Sequence, residues 1–499
     1  MEQLSTLTPA GRDATGVGGL DDILAGGLPA HRMYLVKGVP GVGKTTLALQ
    51  FLLEGVRIGQ RVLYITLSET AAELRQVADS HGWSLDGISL FELALGDETL
   101  PLHDENTLYA AQDVDLQKTI RAFLSEVERV RPERVVFDSL AEIRLLAQTA
   151  VRYRRQLLAF KQYFIGKRCT ALLLDDRTAD SPDLQVESLV HGAIVLEQLP
   201  VQYGADRRRL RVLKLRGSTF RSGYHDFTLV AGGLRVFPRL VAAEHRSADL
   251  AESLSSGVPE LDAILGGGID RSTCTLVMGP AGVGKSAIAT QFAIAAALRG
   301  EPATIFLFEE RIGTWRSRTA HLSRDVDRLL DSEKLFVEQI DPAELAPDEF
   351  THRVRECVDK GCRVVVIDSI TGYFTAMPEA RFLSLQMHEL LSYLSERGVA
   401  SILTMAQAGM IGAMTSPVDV SYLADTVMLL RYFEVDATIR KAVSVLKKRS
   451  GNHEDTIHAF RFDSTGVNVG PPLRGLHGIL AGLPSMTASA GPEAAYEVE

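Results

Sequence analysis

The 499-residue chain has only four cysteines, Cys169, Cys274, Cys357 and Cys362. No CxxC pair occurs and no histidine stands at zinc-finger spacing, so neither a metal knuckle nor a disulfide framework is indicated, and a reducing interior suits them. No apolar run approaches the roughly 18 residues of a membrane span, and the N-terminus shows no basic start leading into an apolar core. The expected location is cytoplasmic, with no membrane partner. A basic excess is missing too: 53 Lys and Arg stand against 63 Asp and Glu, a net charge of −10. Together with the lack of an aromatic, basic single-strand platform, this argues against nucleic acid as a partner. The RRRLR run from Arg207 reads as a solvated strand entry.

The chain is long enough for at least two domains, and 46% hydrophobic with 23% charged residues is ordinary for a folded protein. It repeats itself. TGVGGLDDILAGGLP from Thr15 returns as SGVPELDAILGGGID from Ser256, and GVPGVGKTTLALQF from Gly38 returns as GPAGVGKSAIATQF from Gly279. Gly16 and Gly257 are 241 residues apart, as are Lys44 and Lys285, while Asp138 (VVFDS) and Asp368 (VVIDS) are 230 apart. A tandem duplication with insertions between strands explains both spacings. The expected domains are 1–240 and 241–482, joined in the polar stretch 241–256, with a flexible acidic tail over 483–499. Apolar β-branched runs alternate with helical patterns in each copy, so each is expected to be α/β, a mainly parallel sheet flanked by helices.

Residues 38–45 and 279–286 both satisfy GxxxxGK[ST] between a strand and a helix. Gly38, Gly41 and Gly43, and Gly279, Gly282 and Gly284, let backbone N–H groups turn around phosphate oxygens, and Thr46 and Ala287, where the helices open, are expected to bind the nucleotide as well. Lys44 and Lys285 are expected on the β and γ phosphates, with Thr45 and Ser286 as Mg²⁺ ligands. Asp138 and Asp368, each ending an apolar run, are expected to complete the metal sites. Hydrolysis also needs a carboxylate to orient the attacking group. Glu309 and Glu310 end the strand TIFLF, whereas the first copy has Ser68 and Glu69, so Glu69 alone is expected to serve there, with slower or differently organised chemistry. Lys214 with Arg216, and Lys447 with Arg449, form KxR pairs on late strands, a pattern that serves solubility as readily as function.

These residues resemble the KaiC-like group of RecA-type ATPases, to which the circadian-clock ATPase KaiC belongs. The likeness runs over residues 14–470. It includes TGVGGLDDILAGGLP, the SET and FEER strand ends, HGW at 81–83, VLKLRGSTFRSGYHDF and YLADTVMLLRYFE. The resemblance implies two tandem RecA-like P-loop domains, ATP with Mg²⁺ as cofactors, and a homohexamer with ATP between subunits. It implies that the KxR pairs reach a neighbour's phosphates and that Glu69, Glu309 and Glu310 lie on the catalytic glutamates. It also implies autophosphorylation in the second domain, with Ser421 on the family serine, Tyr422 on its threonine and Ser416 on a nearby third hydroxyl. A signalling or clock-like switch with partner proteins follows from it. A DNA-acting RecA-type motor and a nucleotide-gated scaffold with little turnover remain open.

Overall fold

The structure, a computed structural model, describes residues 11–92, 108–176, 184–200, 204–245, 252–375, 380–409, 420–435, 437–463, 466–481 and 485–486. The chain divides into two compact units, Met1–Arg239 and Leu240–Glu499. The long strands of the first are β1 (Met33–Gly38), β2 (Val62–Thr66), β3 (Ile88–Glu92), β4 (Arg134–Asp138), β5 (Thr170–Asp176), β6 (Gly192–Leu199), β7 (Arg207–Leu215), β8 (His225–Val230) and β9 (Gly233–Phe237). They make one nine-stranded sheet in the order β9-β8-β7-β6-β1-β5-β4-β2-β3. The six strands from β6 to β3 are parallel, and β7, β8 and β9 extend the sheet antiparallel.

The second unit repeats this plan with β10 (Cys274–Gly279), β11 (Ala303–Leu307), β12 (Leu335–Gln339), β13 (Val364–Asp368), β14 (Ala400–Ala406), β15 (Thr426–Val435), β16 (Thr438–Lys448), β17 (His458–Asp463) and β18 (Gly466–Pro472). Its order, β12-β11-β13-β14-β10-β15-β16-β17-β18, is the first sheet's order read from the other edge. Both are therefore α/β units of RecA-like plan.

Strands buried on both faces read as unbroken apolar runs, and alternate residues feed opposite cores. Tyr34, Val36 and Tyr64 enter a core with Leu47, Phe51 and Leu52 of the helix Lys44–Arg57, while Met33, Leu35, Leu63 and Ile65 enter another with Phe123, Phe137 and Phe160. In the second unit Val277, Ile305 and Val366 pack with Ile288 and Phe292 of the helix Lys285–Leu298, and Leu276, Phe306 and Ile367 pack with Phe350 and Tyr373. Cys169, Cys274 and Cys362 are buried in these cores and Cys357 is half-buried, all four free. Burial pushes every one of these thiols up.

The segment read as a tail lies outside the described residues except Ser485–Met486, which pair antiparallel with Leu476–His477. Among the described residues no helix is long and apolar enough to cross a membrane.

Candidate functional site

Each glycine loop leads from the end of a central parallel strand, β1 or β10, into a helix that begins at the lysine itself. Gly43 and Gly284, at φ 109° and 121°, turn the chain into those helices. A Cβ at Gly284 would come within 2.6 Å of the Phe460 ring, so glycine is required by both conformation and space. Lys44 and Lys285 are almost wholly buried beneath their loops. Lys44 Nζ donates to Gly38 O and Val39 O at 3.0 Å and pairs with Asp176 Oδ1 at 2.7 Å. Lys285 Nζ donates to Pro280 O at 2.7 Å.

The hydroxyl after each lysine meets the aspartate ending the next strand but one from the loop strand, Thr45 with Asp138 and Ser286 with Asp368. Both aspartates are buried. Tyr64 Oη donates to Asp138 Oδ2 at 2.5 Å, and Thr404 Oγ1 donates to Asp368 Oδ1. Burial pushes both carboxyls above their ordinary range, with these hydroxyls pulling the other way. The peptide bonds Asp138–Ser139 and Asp368–Ser369 are cis in both copies. One hydroxyl and one carboxylate beside a glycine-rich turn are hard oxygen donors of the kind that suit Mg²⁺.

The glutamates differ between copies. Leu67 N and Phe308 N bond the carbonyls of Asp138 and Asp368, which makes Ser68 the counterpart of Glu309 and Glu69 that of Glu310. Glu69 is fixed by two hydrogen bonds between its backbone and Thr66 Oγ1, and by a capping box of Thr70 and Glu73 opening the helix Ala71–Ser80. Its carboxylate faces Asp138, Thr45 and Lys44, and its Oε2 is buried without a partner. Burial first, then the charges of Asp138 and Glu73, push its carboxyl up to about 7. In the second unit Glu309 Oε1 accepts from Ser369 Oγ at 2.6 Å, whereas Glu310 pairs with Arg318 at 2.7 Å. The residue 241 positions before Arg318 is Val77, so the first copy has no arginine at the equivalent position, and among the described residues no ion pair holds Glu69.

A pH dependence follows. Below pH 7 Glu69 is largely neutral and cannot accept a proton; above it the carboxylate is available. If Glu69 is the proton acceptor of a reaction at the first repeat, the rate measured in a Lys285→Ala chain is expected to rise with an apparent pKa of about 7, and Glu69→Gln to flatten that limb. A pH-independent rate from pH 6 to 8 would contradict the assignment.

The KxR cations hold carbonyls of their own unit. Lys214 Nζ bonds Glu187 O, and Arg216 donates to Ser188 O at 2.8 Å, at the end of the helix Leu184–Leu189. Lys447 Nζ bonds Ser421 O at 3.2 Å and Ala424 O at 2.7 Å, and Arg449 reaches Tyr422 O and Asp425, both at 3.3 Å. Ser421 is thus the counterpart of Glu187, whose carboxylate pairs with Lys37 at 3.1 Å. Tyr422 is exposed, and Ser416 lies outside the described residues. Thr46 Oγ1 lies 3.4 Å from His81 Nε2, and Ala287 is buried behind its loop. In the RRRLR run Arg209 stacks on Tyr224 and pairs with Glu197 at 3.0 Å.

Sequence reasoning missed Asp176, Ser369, Thr404 and Arg318. Asp176 carried the same signal as Asp138, an acid ending an apolar run; the partners of the other three are set by tertiary register.

A family model described as "ATPase: KaiC" matches residues 14–241 and again 254–474. The chain is 26% identical over 487 residues to the circadian clock protein KaiC3 of Synechocystis sp., covering 96% of this chain and 95% of that one. It is 25% identical to the circadian clock oscillator protein KaiC of Parathermosynechococcus lividus, covering 97% and 90%, and 25% identical to that of Synechococcus elongatus, covering 94% and 91%.

Proposed function

The chain belongs to the KaiC ATPase family, and from that membership we propose that both repeats bind and hydrolyse Mg·ATP at the boundaries between subunits of a ring, most simply a homohexamer, acting as a signalling or clock-like switch. The observation that carries this reading is the doubled constellation of a buried loop lysine, a hydroxyl on a buried aspartate, and a glutamate on the adjacent strand end. In this reading Mg²⁺ would be held by Thr45 with Asp138 and by Ser286 with Asp368, where it supplies charge neutralisation for the phosphates. Lys44 and Lys285 bind the β and γ phosphates. Glu69 accepts the proton of the attacking water in the first repeat and Glu309 in the second. Lys214, Arg216, Lys447 and Arg449, once released from their own carbonyls, supply positive charge to a neighbour's nucleotide. Phosphate release from Mg·ATP is the test; none from the full-length chain would overturn the reading.

The second repeat is also proposed to phosphorylate Ser421 from a neighbour's ATP. An acceptor oxygen must lie in line with the γ-phosphate within about 3.5 Å. Ser421 has a short side chain on the turn Ser421–Leu423, beside Lys447, whereas the Tyr422 hydroxyl sits at the end of a rigid ring. Ser416 is the second acceptor. Mixing a Ser421→Ala chain that keeps its glutamates with a Glu309→Gln, Glu310→Gln chain that keeps Ser421 is expected to label the second chain only in the mixture. Peptide mass spectrometry reads the site, and absence of label there, or equal label on Tyr422, would reject transfer in trans to Ser421 and favour a nucleotide-gated scaffold.

A further inference from the structure

The two loops hold their lysines differently. An ammonium has three N–H donors. Those of Lys44 all find acceptors, two carbonyls at 3.0 Å and the Asp176 carboxylate at 2.7 Å. Among the described residues the hydrogen bond of Lys285 Nζ is to Pro280 O, and no side chain pairs with it. The cause lies in one residue of the strand next to each loop strand. β5 ends in Asp176, the register partner of Gly38, whereas β14 ends in Ala406, the register partner of Gly279.

We propose that Asp176 sets the nucleotide affinity of the first site: it occupies the loop lysine as an internal counter-ion, so phosphate must displace it there, while the second repeat binds nucleotide without that competition. The inference rests on the reading of both repeats as nucleotide sites. Two effects add. The incoming phosphates exchange one ion pair for another at Lys44, so the net gain is small, whereas at Lys285 they supply acceptors to a buried cation that has few. The displaced carboxylate then stays at the end of β5, next to the loop, and repels the bound anion. Its position beside the site is shown by the 2.7 Å contact with Lys44. Asp176 is itself about one-third exposed, so solvent moderates both effects.

The test uses full-length chains that each keep one loop lysine and follows binding of a fluorescent ATP analogue in the presence of Mg²⁺ and again in excess EDTA. In the Lys285→Ala chain, Asp176→Asn removes the charge and keeps the shape, and is expected to tighten binding about tenfold, as loss of a partly buried competing ion pair implies. In the Lys44→Ala chain, Ala406→Asp is expected to weaken binding by a similar factor. Circular dichroism checks that Ala406→Asp folds, and if it does not, Asp176→Asn alone decides. Unchanged or weaker binding by Asp176→Asn, with both parent chains binding nucleotide, overturns this inference and leaves the nucleotide reading intact. Failure of both parent chains to bind overturns the nucleotide reading and this inference with it.

Discussion

Replacing Lys44 and Lys285 together by alanine is expected to abolish nucleotide-dependent assembly and to weaken ATP binding about 100-fold or more at the second site, which loses a charge-assisted contact to phosphate of roughly 2–3 kcal/mol, and by less at the first, where phosphate competes with Asp176 for the lysine. Both lysines are buried under their loops, so no solvent-exposed neighbour substitutes for them. If the sites are shared between subunits, the particle mass seen by light scattering should fall when nucleotide is withdrawn, and the double variant should stay small even in Mg·ATP. Each single variant should keep one repeat's binding and an intermediate stability of the particle. An unchanged mass with and without ATP, and no effect of the double replacement, would reject the shared-site ring.

The second large effect separates two adjacent carboxylates. In a Lys44→Ala chain, where only the second repeat turns over, Glu309→Gln is expected to lower the rate about 100-fold or more, the loss typical of a general base. Glu310→Gln is expected to cost about tenfold or less, because the Glu310 charge is already committed to Arg318 and a glutamine oxygen can still accept from that guanidinium. The Ser369 hydroxyl donates to Glu309 at 2.6 Å and orients that carboxylate. Steady-state phosphate release reads both variants, and equal losses would show that the Arg318 pair does not withdraw Glu310 from the chemistry.

Much of this site was legible because it is locally encoded. The glycine loops specify their own backbone conformation, and the run ending in Asp138 announces a buried parallel strand whose last residue emerges at the carboxyl edge of the sheet. The duplication made the second copy an internal control for the first. What was not legible depends on register between segments far apart in sequence. Asp176 meets Lys44 only because β5 pairs with β1 so that Asp176 faces Gly38. Arg318 reaches Glu310 because the helix Ile312–Thr319 folds back on its own strand end, and nothing in the spacing distinguishes that arginine from the exposed Arg316. The antiparallel extension by β7, β8 and β9 was likewise invisible in a pattern that signalled only alternating strands and helices.

The buried thiols make the chain its own reporter of local opening. Cys169 belongs to the first unit and Cys274, Cys357 and Cys362 to the second. With the thiolates of the buried Cys169, Cys274 and Cys362 suppressed, alkylating reagents meet little reactive sulfur there in the native fold, and modification of these three is expected to proceed through transient unfolding, whereas the half-buried Cys357 is reached more directly. Peptide mapping of the labelled cysteines therefore resolves the unfolding rates of the two repeats in one sample, and shows which of them a given nucleotide protects, without any engineered probe.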